Sequence, residues 1–308
     1  MVFGHFYITD VFLPFCHLFT LIAVNPPHSW GGTTTGGGTI VADLLPPKRR
    51  GEGIGYFGLT MTIAMALGPM VGLLIMGENQ FDRLFLAAGV LLVLAFMLAN
   101  FISYPPVTKE ARALAWSSFF ENRVLPVSLV MFLTTFVYGG VVSFIVIYGD
   151  EIGIKNSGLF FLVYAFALSI VRPFAGKLLD RRGPTLVTIS GFFFLMTGFL
   201  LLAASSETIL FSISAILMGV GNGMVWPTLQ TMIINMVEPS RRGVASSTYM
   251  SALDLGIGGG SIALGIIAKW TSLSIMFFIS GLLVILPLAF FYFYAVKDYK
   301  AKIIQEAK

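Results

Sequence analysis

Metal-binding and redox side chains are almost missing from this 308-residue chain, which has one cysteine, Cys16, and three histidines, His5, His17 and His28. A single cysteine excludes an intrachain disulfide framework, and so few cysteines and histidines leave no basis for a zinc site. No phosphate-binding loop and no nucleophile elbow occurs, which disfavours an ATP-driven pump and an intramembrane hydrolase. The expectation is therefore no enzyme, no cofactor and no metal. Charge is equally scarce: 11% of residues are charged, against 56% hydrophobic, and the mean hydropathy is +0.88. A water-facing globule of this size cannot carry such a surface, so lipid must be the main solvent. The net charge of +4 does not point to nucleic acid, because the basic residues fall in short clusters between apolar stretches.

Those stretches run at about 55–77, 84–103, 125–149, 157–179, 185–205, 208–236, 244–268 and 271–296. Each is near or above the roughly 20 residues that a helix needs to cross the hydrocarbon core. Helices satisfy their own backbone hydrogen bonds, as lipid requires. The expected fold is all-α, a polytopic membrane helix bundle with eight spanning helices.

All 19 Lys and Arg residues except Arg83, Lys155, Lys269 and the intra-span Arg172 lie in loops on one side, which assigns that side to the cytoplasm. The cytoplasmic set includes Lys48, Arg49, Arg50, Arg181, Arg182, Arg241, Arg242 and the C-terminal tail. A multi-pass cell-membrane protein with a cytoplasmic C-terminus is expected.

One loop occurs twice, Pro47-Lys-Arg-Arg-Gly51 and Pro239-Ser-Arg-Arg-Gly243, at an offset of 192 residues. The same offset pairs Thr39 with Thr231, Asp43 with Asn235 and Gly68 with Gly260, so the echo extends into the flanking spans. Two bundles on one plan, meeting at a midplane site, is a common transporter architecture. The long connection at 104–124 starts at Tyr104-Pro105-Pro106 and reads as a cytoplasmic linker. The expected organisation is an atypical N-terminal segment 1–32, a remnant of an N-terminal bundle 33–103, the linker 104–124, a C-terminal six-helix bundle 125–296 and a cytoplasmic tail 297–308. Residues 1–31 hold all the histidines and the cysteine, and the first half has fewer spans than the second, so a chain truncated or altered at its start is expected.

At residue 176 the chain reads Gly176-Lys-Leu-Leu-Asp180-Arg181-Arg182-Gly183 between two apolar stretches. This resembles the G-x-x-x-D-R-x-G loop of the major facilitator superfamily. Gly176 permits close helix approach, Asp180 can accept from helix-end amides or a neighbouring arginine, and Arg181 and Arg182 stay at the membrane surface. A second resemblance lies at Gly55, Gly58, Gly68-Pro69 and Gly72, similar to the fifth helix of the superfamily's drug:proton antiporter branch. Glycines let helices close tightly and Pro69 frees a carbonyl. Leu73 departs from that branch's usual glycine, and the first-half counterpart of the Asp180 loop is absent.

The resemblance covers about 33–300 and implies an incomplete major facilitator fold whose C-terminal six-helix half is complete. It implies a secondary transporter, proton-coupled and exporting small molecules by alternating access. The other reading is a membrane-embedded remnant or interaction partner without transport activity.

Few polar groups lie deep in the spans. Asp254 is 12 residues past Arg242, about 18 Å along a helix, hence near mid-bilayer. It reads as a proton or cation site, or as a structural carboxyl bonded to a neighbouring helix in the packed region around Gly256 and Gly258 to Gly260. Asn222, Trp226 and Gln230 recur at i, i+4 and i+8 and share one helix face, lining a path or serving packing. Arg172 either steers an anionic substrate, pairs with a carboxylate, or snorkels to the cytoplasmic surface. Tyr138 and Tyr164 are path-lining or packed. The expected partners are a small-molecule substrate, protons and the bilayer.

Overall fold

The computed structural model describes residues 37–43, 45–76, 81–99 and 120–303, without the side chains of residues 47, 61, 63–70, 73, 74, 76, 96 and 99. The expectations for the segment 1–32, for the linker up to residue 119 and for the end of the tail lie outside the described residues. Among those residues every regular element is helical. Residues 37–43 form α1. Then come α2 (Arg50–Met76), α3 (Phe81–Ala99), α4 (Leu125–Glu151), α5 (Leu159–Arg182), α6 (Pro184–Ala203), α7 (Thr208–Asn235) and α8 (Arg242–Trp270). The last span, Leu273–Lys302, comprises α9 (Leu273–Leu283), α10 (Ile285–Phe290), a π turn at Phe291–Ala295 and α11 (Val296–Lys302).

Six helices of the described chain are long and apolar enough to cross a membrane, and all begin at or after Asn122. They coincide with the last six expected stretches. The first two expected stretches fall on α2 and α3, continuous helices of 27 and 19 residues. Outward faces are apolar, as lipid contact demands: Leu86, Leu91, Leu98, Phe166, Phe174 and Ile262 are all more than half exposed.

The loop repeat of the sequence recurs as structure. Pro47–Arg49 and Pro239–Arg241 each form one 3-10 turn opened by proline, and each runs into a long helix at the next residue, Arg50 and Arg242. Proline fits there because the first helical position needs no backbone N–H.

Association of apolar helices in lipid depends on van der Waals packing, which favours small residues at the seams. The closest pairs here meet that way. Between α4 and α8, a Cβ added at Gly260 would lie 1.9 Å from the Phe136 carbonyl oxygen, and one at Gly139 2.5 Å from that of Ile257. Gly191 and Gly221 face each other's carbonyls across α6 and α7, and Gly219 and Gly223 seat α7 on α5. Helix α2 packs on α5 through Gly51 and Gly176, where a Cβ on Gly176 would lie 2.6 Å from the Gly51 oxygen. The last of these seams joins α2, which begins on the first loop copy, to the later helices.

Candidate functional site

Two constellations emerge, one at the end of the bundle that carries the basic loops and one deeper between the helices. At the basic end, α2 and α8 begin on the two loop copies, and each supplies an arginine to the other repeat. Arg50 donates from Nη1 to Asn235 Oδ1 at 2.7 Å, and Arg242 donates from Nη1 to Asp43. The offset of 192 turns one contact into the other, since it maps Arg50 onto Arg242 and Asp43 onto Asn235. Both arginines are buried, at 6% and 7% exposure, so each needs its partner. A third contact, Arg241 to Glu121, ties the second loop copy to the segment entering α4.

Asp180 stands beside this clasp. Its Oδ1 accepts from the Gly51 amide and its Oδ2 from the Glu52 amide, both at 2.9 Å. A carboxylate from α5 thus caps the start of α2, where amides without intrahelical partners and the helix dipole favour negative charge. Of the two partners expected for Asp180, helix-end amides are the ones found. Arg181 and Arg182 are exposed, and Gly183 turns the chain at φ 78°, a left-handed conformation that glycine adopts without strain. Glu52 extends the contact through Lys177 at 3.6 Å and Arg49 at 3.0 Å.

The deeper constellation collects residues from five helices. Asn222 of α7, 1% exposed, donates from Nδ2 to the Tyr164 hydroxyl of α5 at 2.9 Å. The Tyr164 ring stacks on Tyr138 of α4 at 5.7 Å and 25°, and Tyr138 meets Trp226 edge-on at 5.5 Å and 89°. Tyr249 of α8 donates to the Trp226 carbonyl at 3.0 Å. Arg172 of α5 donates from Nη1 to the Gly58 carbonyl and, at 2.7 Å, to Thr62 Oγ1 on α2.

Arg172 therefore does not snorkel. It is 8% exposed and turned across to α2, where Gly58 leaves room for the guanidinium: a Cβ there would lie 2.7 Å from Nη1. Gly55 sits over the Arg172 carbonyl at 3.0 Å by the same measure. Helical side chains lean toward the N-terminus, which carries the charge away from the basic end.

The face shared by Asn222, Trp226 and Gln230 is divided. Asn222 and Trp226 enter the aromatic cluster, whereas Gln230 approaches Gly38 of α1, where a Cβ would lie 3.3 Å from its amide nitrogen. Asp254 joins neither constellation. It is exposed and has no hydrogen bond or ion pair among the described residues, so the bonded structural carboxyl finds no partner there. Gly256 and Gly260 pack against α4, but nothing lies within 4 Å of a Cβ at Gly258, so the packed glycine face is narrower than expected. Helix α2 runs unbroken through Gly68-Pro69, whose side-chain surroundings lie outside the described residues, and Gly72 faces Leu84 of α3 at 3.6 Å. Sequence reasoning missed Tyr249 and Thr62, which carry no periodic signal. It also missed the crossed partners of Arg50 and Arg242, although the offset alone pairs the four residues.

The sequence model of the Major Facilitator Superfamily matches two overlapping stretches, residues 28–212 and 156–308. The chain is 25% identical over 264 residues to the staphylopine export protein of Staphylococcus aureus, covering 80% of this chain and 66% of that protein. It is 20% identical over 258 residues to an uncharacterised MFS-type transporter of Methanocaldococcus jannaschii, with the same two coverages. Among solved structures, the human organic anion transporter MFSD10 superposes with a TM-score of 0.73 at 18% identity, covering 84% of this chain and 67% of that one. The chain thus spans 66% of the length of these two relatives.

Proposed function

The chain belongs to the Major Facilitator Superfamily, and on that premise we propose that it acts as a secondary active transporter, exporting small molecules by alternating access with protons as the coupling ion. The observation that carries the proposal is the crossed clasp. Each repeat holds the other by an arginine beginning its own long helix, so both contacts form or break together when one body rocks against the other. With the basic loops in the cytoplasm, this is a conformation closed toward the cytoplasm.

Export as the direction is supported by the likeness to the staphylopine export protein, and a small organic cargo by that likeness and the superposition on MFSD10. Antiport with protons is supported by Asp254, an ionisable group halfway along a spanning helix. The test is transport by the purified full chain in proteoliposomes, with 2-naphthoate and ethidium as probes and an imposed pH gradient. Gradient-dependent movement of either probe is expected. Movement that ignores the gradient removes proton coupling, and no movement of either probe in any condition favours a membrane-embedded interaction partner.

A further inference from the structure

Arg172 is a buried cation with no acidic partner among the described residues. Its hydrogen bonds go to a carbonyl and a hydroxyl, both from Nη1, and its Nε is buried without a partner. Burying an uncompensated guanidinium is costly, so such a group is retained where an anion completes it. Three acids of the described chain are engaged elsewhere: Asp43 with Arg242, Glu121 with Arg241, and Asp180 with the amides that open α2.

Two further buried polar atoms in the same cluster have no partner, Trp226 Nε1 and Asn222 Oδ1. Arg172 follows Val171 on the stretch of α5 against which Gly223 of α7, the neighbour of Asn222, is seated, and Tyr164 on the same helix and Tyr249 of α8 hold Asn222 and the Trp226 carbonyl. Two of the three unpartnered atoms are donors, and one of these is charged. That balance asks for a ligand rich in acceptors and negative in charge. Beside the polar atoms stands a wall of rings, Tyr138 flat on Tyr164 and edge-on to Trp226. Such a wall accepts a planar apolar body by stacking.

We propose that the Arg172–Asn222–Trp226 cluster is the recognition site of this transporter for an aromatic organic anion, its carboxylate on Arg172 and Trp226 and its ring against Tyr138 and Tyr164. The proposal names the substrate class and rests on the transporter reading above. Thr62 and Gly58 of α2 hold the arginine from the first repeat, while α4, α5, α7 and α8 supply the rest, so the site lies across the seam that rocks.

The test compares 2-naphthoate with 2-naphthylmethylammonium, which share a ring system and differ in charge. Binding to the purified full chain is measured by calorimetry, and counterflow in proteoliposomes without a pH gradient. Wild type should bind the carboxylate saturably and prefer it over the ammonium. Arg172→Gln should weaken carboxylate binding on the order of tenfold to a hundredfold, and Arg172→Lys should restore part of it, which a purely structural tie between α2 and α5 would not do. Asn222→Asp places a carboxylate at the site and should reverse the preference toward the ammonium. It carries the test if Arg172→Gln does not fold.

No carboxylate binding by wild type, equal binding of the two probes, or wild-type carboxylate binding by Arg172→Gln or Asn222→Asp overturns the proposal. Arg172-dependent binding without counterflow keeps anion recognition and removes the transporter. Counterflow of the ammonium that is indifferent to Arg172 keeps the transporter and removes anion recognition.

Discussion

Arg242 of the second loop copy pairs with Asp43, 199 residues earlier, and the equivalent residue of the first copy, Arg50, reaches Asn235, 185 residues later. The two contacts are one interaction made twice, with a carboxylate as acceptor in one bond and an amide in the other. An arginine held by a carboxylate gains a charge-assisted bond, roughly twice as strong as one to a neutral acceptor. The clasp therefore has a strong arm and a weak arm, and that asymmetry sets the first expected outcome.

Asn235→Asp should strengthen the weak arm and Asp43→Asn should weaken the strong one, each by about 1–2 kcal/mol, or roughly tenfold in the equilibrium between closed and open basic ends. The measurement is thiol-reagent access to a cysteine at Gln230, between the repeats, in a background without Cys16. Access from the basic end should fall in Asn235→Asp and rise in Asp43→Asn. Equal access in both variants would separate the clasp from the conformational equilibrium.

Orientation follows from loop charge. Cysteines at Arg49 and Arg181, both exposed at the basic end, should react with a membrane-impermeant thiol reagent only from the cytoplasmic side. Reaction of either from outside reverses the topology and, with it, which side the clasp closes.

Asp180 caps α2 from another helix, so its charge acts on the seam between the repeats and not on its own helix. Asp180→Asn retains one acceptor oxygen and loses the charge, whereas Asp180→Ala loses both. Transport should decline in that order while membrane insertion stays normal. Wild-type transport by Asp180→Ala would leave the loop as a topology signal only.

Helix packing offers a test with an internal control. Gly260→Ala drives a methyl to 1.9 Å from the Phe136 oxygen, while Gly258→Ala, two residues away on the same helix, meets nothing within 4 Å. Backbone on both sides cannot yield as a flexible side chain would. Gly260→Ala should lower stability by about 1–3 kcal/mol, and Gly258→Ala should be nearly neutral. Thermal denaturation in detergent checks the difference. Similar midpoints for the two variants would mean that α4 and α8 separate freely.

Much of the fold was legible because lipid imposes simple rules. Span length, the lack of charge and the loop repeat located α4 to α8 and the last span to within a few residues. The proline-led turns at Pro47 and Pro239 mark where α2 and α8 start. The sites were less legible, and the reason is geometric. Asn222 and Trp226 could be placed on one face by spacing, but which helix met that face depended on glycine seams such as Gly219 on Tyr164 and Gly223 on Leu168. Arg172 sat near enough to the basic end to reach water. Only the gap left by Gly58 on a different helix reveals that it turns inward. Tyr249 gave no signal, because a tyrosine in an apolar helix looks the same whether it packs or lines a site.

Asp254 stands 12 residues past the start of the 29-residue α8, with its side chain exposed and unpaired among the described residues. The glycines that pack α8 on α4, Gly256 and Gly260, lie on another face, so the carboxyl is directed away from that seam. A lone carboxylate at that depth is costly in hydrocarbon and is relieved by protonation or by water entering from one side. The proposed alternating access would offer both in turn, which suits a carboxyl that takes up a proton on one side and gives it up on the other. Asp254→Asn keeps the shape and cannot cycle. It should abolish pH-gradient-driven movement in proteoliposomes while counterflow without a gradient persists, and the protein should elute from size exclusion as wild type does. Gradient-driven transport by Asp254→Asn at the wild-type rate would place the coupling group elsewhere. An exposed, unpaired carboxyl has no packing to lose, so loss of folding in the same variant would contradict this assignment and make Asp254 a structural residue.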